Sequence, residues 1–154
     1  MACKDIPEAD ALPIIALAKS APLAKWSEGP KGEGSLSLHL GVVCNPPRRG
    51  LQIEIYVHRI SKVIRRTVDF GLWDTINGEH QRVYQLTVAD KDSPTHTEKG
   101  VTWFGSHEHL GNRAIKLNGI DDLNFEDALK LFLSKVNLTI EDGQIPDPLA
   151  FDLT

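Results

Sequence analysis

Three of the six histidines crowd into the stretch 93–116, SPTHTEKGVTWFGSHEHLGNRAIK. His96 sits in a polar turn, and His107 and His109 follow two residues apart, with Arg113 and Lys116 close behind. Imidazole moves protons near neutral pH and is a common metal ligand. On a strand, successive side chains point to opposite faces. His107 and His109 therefore project together, and Ser106, Glu108 and Leu110 take the reverse side. Such a pair supports three chemistries: a metal site completed by a third ligand, a general acid and base for metal-free phosphodiester cleavage, or a phosphate site with nearby cations. An H-x-H pair also occurs as plain polar strand surface.

RNA cleavage needs a base for the 2′-hydroxyl, an acid for the leaving oxygen and a cation for the developing phosphorane. His96, His107, His109 and Arg113 can fill these roles, with Tyr84 as a helper on an adjacent strand. Arg82, Lys116, Arg65 and Arg66 are the candidate substrate-binding cations. In this reading the chemistry is metal-independent, with no metal ligand and no cofactor. His39 and His58 read as surface or network residues, and His80, beside the Asn77–Gly78 turn, as solvent-exposed. Trp26, Trp73 and Trp103 read as core residues, with base stacking as the functional alternative.

Strands must carry these groups. In 35–43 Leu36, Leu38, Leu40 and Val42 share a face. In 51–60 Leu51, Ile53, Ile55 and Val57 point inward, with Gln52, Glu54, Tyr56 and His58 outward. Strict alternation of this kind marks half-buried antiparallel strands. Residues 62–75 lean to strand, with Gly71 as a bulge signal. Asn77–Gly78 marks a turn before the strand 81–89. A polar loop over 90–100 then precedes strand material in 101–111 and 113–117. A short helix within 8–19 is limited by Pro13. A second helix over 124–136 has Asn124 as N-cap and one apolar stripe of Phe125, Ala128, Leu129, Phe132, Leu133 and Val136.

The 154 residues fit one domain: a helix and loop extension over 1–33, a sheet-plus-helix core over 34–140 and a tail over 141–154. The expected class is α+β, a curved antiparallel sheet of about five to six strands with the C-terminal helix packed on one face and a short N-terminal helix. A net charge of -4 disfavours a surface coated for indiscriminate duplex binding. Cys3 and Cys44 match no metal or redox spacing and read as free thiols. No apolar run reaches the roughly 18–20 residues of a membrane span, and the N-terminus lacks a signal layout, so the expected location is cytoplasmic. Walker, G-x-S-x-G, CxxC and dinucleotide motifs are absent.

The run Tyr84-Gln85-Leu86, then Ser93-Pro94-Thr95-His96-Thr97, Gly100 and Gly105-Ser106-His107-Glu108-His109 resembles small prokaryotic TumE-like toxin-type domains and related uncharacterised families. His96, His107 and His109 are the matching positions, within residues 50–137. Thr95 separates Pro94 from His96 where those domains have a direct Pro-His pair. The resemblance implies a toxin–antitoxin or mobile-element setting with RNA as target. The expectation is thus a toxin-like endoribonuclease. The alternatives are a non-catalytic, antitoxin-like or phage-encoded binding protein, and a metal-dependent hydrolase built on His-x-His. Expected partners are RNA, a small antitoxin or other protein, and a second copy in a homodimer, with no membrane.

Overall fold

The computed structural model describes residues 4–28, 35–59, 66–76, 78–141 and 143–148. The fold is α+β with one N-terminal and one C-terminal helix, as expected, and its main sheet has eight strands. The long central strands are β6 (Leu51–Arg59), β7 (Arg66–Ile76) and β8 (Glu79–Ala89). On one side, β6 is flanked by β4 (Leu36–Gly41) and then β3 (Ser27–Glu28). On the other, β8 is followed by β11 (His107–Leu110) and β12 (Arg113–Lys116). These pairings are antiparallel. An eighth strand, β1 (Lys4–Asp5), adds to β8 in parallel.

Alternation sorts the residues. Leu38, Leu40, Ile53, Ile55, Val57, Phe70, Leu72, Tyr84 and Leu86 are all at most 3% exposed and share one face. Helix α2 (Phe125–Lys135) lies on that face: Phe132 stacks 5.3 Å from Phe70 and 6.1 Å from Tyr84, and Phe125 stands 5.8 Å from Phe70. Asn124 caps the helix, its side-chain oxygen accepting from the Asp127 N–H at 2.8 Å. Replacing Asn124 by alanine leaves that donor unpaired and should cost about 1 kcal/mol in urea unfolding, with the spectrum of the native state unchanged.

Of the N-terminal segment, the described residues 4–28 pack into the body of the fold. Helix α1 (Glu8–Ala16) runs through Pro13 and places Ala11 and Ile14 in the core. It ends before residue 19, because Ala18–Pro22 forms strand β2. Between β5 (Val43–Asn45) and β13 (Leu138–Glu141), β2 makes a second sheet of three strands. Lys19 is 4% exposed there, its Nζ donating to the carbonyls of Ile15, Leu17 and Val136 at 2.7–2.9 Å. One ammonium thus ties the end of α1 to the end of α2, and burial pulls its pKa down to about 8. Trp26 packs on Phe125 at 5.6 Å and donates to the Pro146 carbonyl at 2.8 Å. With Ile145 buried as well, the described part of the tail is fastened to the body.

Two local expectations change. The bulge between β7 and β8 lies at Leu72/Trp73, one step past Gly71. The polar loop of 90–100 contains strand β9 (Pro94–Glu98), which pairs with β10 (Val101–Phe104) as a separate two-stranded hairpin. Gly105, at φ +82°, then turns the chain into β11. Cys44 is a buried free thiol, while Cys3, Asn77 and Arg65 lie outside the described residues. Among the described residues no helix is long and apolar enough to cross a membrane.

Candidate metal centre

The face of the main sheet opposite α2 is polar, and its side chains form rows. Residues paired across adjacent strands share a face at about 4.8 Å strand spacing. One row reads Ser37, Tyr56, Asp69, Thr87, His107, Lys116 from β4 to β12. The next reads His39, Glu54, Gly71, Gln85, His109, Ala114. His107 and His109 therefore stand side by side on β11, at the end of two polar rows.

His96 arrives from the hairpin. It faces Trp103 across the β9–β10 pair, with ring centres 4.9 Å apart, and the hairpin is pinned at its base by Gly105 N–H to Ser93 O (2.9 Å) and Thr95 Oγ1 to Gly105 O (2.6 Å). A side chain at Gly105 would need a left-handed backbone and a Cβ only 3.0 Å from the Asp121 carboxylate, which itself accepts from the Ser106 N–H. The turn sets His96 over the pair, with ring centres 5.2 Å from His107 and 5.0 Å from His109.

One ligand nitrogen from each ring lies within 4.8 Å of the others. The Nε2 atoms of His107 and His109 are 3.2 Å apart, a hydrogen bond in which one neutral ring donates and the other accepts. Two ligands at about 2.0–2.1 Å from a tetrahedral zinc ion have nitrogens roughly 3.3 Å apart, so the pair already has the separation of adjacent ligands. His96 Nε2 is buried without a hydrogen-bond partner, as is His107 Nδ1.

Burial dominates the electrostatics. It pulls His107 down to about 4 and His109 to about 3, the positive charge of Arg82 and the neighbouring histidines adding to the effect. Both rings are neutral at pH 7, the form a metal requires. A linkage prediction follows for the metal-free protein. The unfolded chain takes up these protons near pH 6.5 and the folded chain only near 4 and 3, so their contribution to stability is full above 6.5 and is lost as pH falls towards 4. Thermal melts in chelator should show a smaller loss between pH 7 and 4.5 for the H107Q/H109Q variant than for the native sequence.

The structure divides the residues singled out from sequence. His96, His107 and His109 meet. Lys116 pairs with His107 across β11–β12 and shares its face, with an exposed side chain. Arg82 contributes charge from β8, held by both Asp5 carboxylate oxygens at 2.8 and 2.9 Å. Tyr84 does not join the cluster. Strand phase sends it to the α2 face, fully buried, where its hydroxyl donates to Glu108 Oε2 at 2.6 Å. Burial and that carboxylate raise its pKa well above the ordinary phenol range, so it stays protonated. Arg113 is also separated: it pairs with Leu110, on the reverse face from the histidines, and reaches Glu8 at 3.5 Å. Arg66 begins β7, pairing with Arg59.

The polar face holds groups that sequence reasoning passed over. Asp69 accepts from Thr87 Oγ1 at 2.6 Å and bonds His58 Nε2 at 2.8 Å. Glu54 Oε1 lies 3.5 Å from His39 Nδ1 and 3.4 Å from His80 Nε2. His80 also stacks on Trp73 at 4.3 Å, so it is part of this network instead of a free turn residue. Outward strand phase was the available signal for Glu54 and Tyr56; Asp69 lay in a segment whose period was ambiguous.

No family model matches the sequence, and no curated protein or solved structure matches it significantly.

Proposed function

We propose that His96, His107 and His109 bind a divalent transition metal and that the protein is a metal-dependent hydrolase. The observation that carries this is the convergence of three imidazoles within 4.8 Å, two of them buried with Nε2 atoms 3.2 Å apart. Three neutral protein ligands with a fourth position left for water is the arrangement of hydrolytic zinc sites, where the metal makes a hydroxide available near neutral pH. The metal-free acid–base alternative is less well supported. It needs a protonated imidazole as the acid, and burial keeps His107 and His109 neutral at pH 7, which leaves that role to His96 alone.

RNA remains the substrate that the resemblance suggests, and the exposed Lys116 on the histidine face is the cation that would meet its phosphate. The first experiment is metal analysis of protein purified without chelator and then loaded with zinc, manganese or nickel. One tightly held ion per chain is expected, together with RNA or phosphodiester hydrolysis that chelator abolishes and metal restores. Protein that takes up no ion after loading overturns the proposal. RNA cleavage that persists in chelator restores the metal-free nuclease.

A further inference from the structure

Beside His96, His107 and His109, on the same polar face, lies an open pocket of about 280 Å³ lined by Glu54, Tyr56, His58, Asp69, Gly71, Trp73 and Gln85. Gly71 leaves room in its row for the Trp73 ring. A Cβ there would stand 2.4 Å from Trp73 Nε1. Glycine thus lets the indole edge settle against the backbone and become a wall of the cavity.

The hydrogen-bonding groups around the cavity are complementary in kind. The Tyr56 hydroxyl is buried and has no partner. Gln85 Oε1 accepts from Arg82 Nη1, which fixes the amide and leaves its NH₂ as the free end. Those are donors. Glu54 and Asp69 supply acceptors, each held in place by its histidine partners, His39 and His80 for the first and His58 for the second. Two carboxylates disfavour an anionic ligand in the cavity itself, and the rings of Tyr56 and Trp73 provide flat apolar walls. The volume falls just under the range of drug-sized ligand sites, which starts at roughly 300 Å³, and so suits a single small ring.

We infer that this cavity binds an uncharged cyclic amide, a nucleobase-like ring whose carbonyl accepts from Tyr56 and Gln85 and whose N–H donates to a carboxylate. The inference deepens the hydrolase reading, since it gives that centre a substrate subsite. Gln85 is the direct cross-strand neighbour of His109, and Thr87 of His107, so the cavity opens one strand spacing from the histidine pair. A ring seated there would lie beside the strand that carries the histidine pair.

Two sources can supply such a ring, a free nucleoside or a base within RNA. Uridine and a short oligouridylate are therefore the probes, followed by intrinsic tryptophan fluorescence and calorimetry on the full chain, with and without chelator. Saturable binding is expected for one or both. The stronger of the two identifies the source. Y56F removes only the unpartnered hydroxyl, so its melting temperature should hold while affinity falls roughly tenfold, the loss of one buried hydrogen bond. N3-methyluridine, which lacks the ring N–H, should bind at least as poorly. No saturable binding of either probe overturns the inference, and so does a Y56F protein that binds both as the native chain does. Uridine binding that persists in protein unable to take up metal leaves the cavity assignment standing and removes the hydrolase.

Discussion

Truncating Phe132 to alanine is expected to cost about 3–5 kcal/mol, the largest stability loss of any single change on the α2 face. Phe132 is fully buried and stacks on both Phe70 and Tyr84, each also at 0% exposure. Its ring is the contact through which the helix holds the centre of the sheet, and the rigid strands on either side cannot close over the space it leaves. A domain of this size holds only about 5–15 kcal/mol in total. Urea unfolding should show a midpoint shifted strongly downward at an unchanged slope. A loss below about 1 kcal/mol would mean that α2 does not rest on the sheet as described. Metal uptake by the folded fraction should be unaffected, because the histidines project from the opposite face.

The same division between faces explains what the sequence made legible. Where one face is apolar and the other polar, period-two alternation states the strand and its orientation together, and Leu51–Arg59 and Leu36–Gly41 were readable for that reason. The stripe of α2 with Asn124 before it was equally direct. Other elements carry no such signal. Ala18–Pro22 and Val43–Asn45 are short strands whose partners lie far away in sequence, and Lys19 reads as surface until three backbone carbonyls close around it. Pro94–Glu98 is polar on both sides because it belongs to a hairpin standing off the main sheet.

The site was legible only in part, for a related reason. Strand phase places His107 and His109 together from sequence alone, because the geometry is local. That His96 meets them depends on Gly105 and the hairpin base, which no spacing rule encodes. Tyr84 shows the converse error. It lies on the strand beside β11, but adjacency between strands says nothing about face, and the pairing of Leu110 with Tyr84 sends its ring into the core. Asp69, Gly71 and Gln85 become a set only once the register of β7, β8 and β11 is known. A side-chain-free position such as Gly71 is silent as a binding feature until its neighbours are in place.

Among substitutions at the site, alanine at His109 should have the largest effect: loss of stoichiometric metal, with affinity reduced by more than the roughly 10–100-fold that follows removal of an outer-shell partner. His107→Ala should behave alike, since the two Nε2 atoms face each other at 3.2 Å. The residue between them supplies the control. Glu108 is a carboxylate on the same strand, one position from each histidine, yet it lies on the reverse face with its oxygen held by Tyr84 and 3.7 Å from Lys135 Nζ. Glu108→Gln keeps an acceptor for the tyrosine and should bind metal as the native protein does. His96→Ala decides how many ligands the centre has. Its nitrogen reaches the pair only through the β9–β10 hairpin, so a loss matching that of His109→Ala makes the hairpin a part of the metal site. Undiminished affinity in that variant would reduce the centre to the two strand histidines. Isothermal titration with zinc against all four variants, each first shown to melt as a folded protein, separates these outcomes.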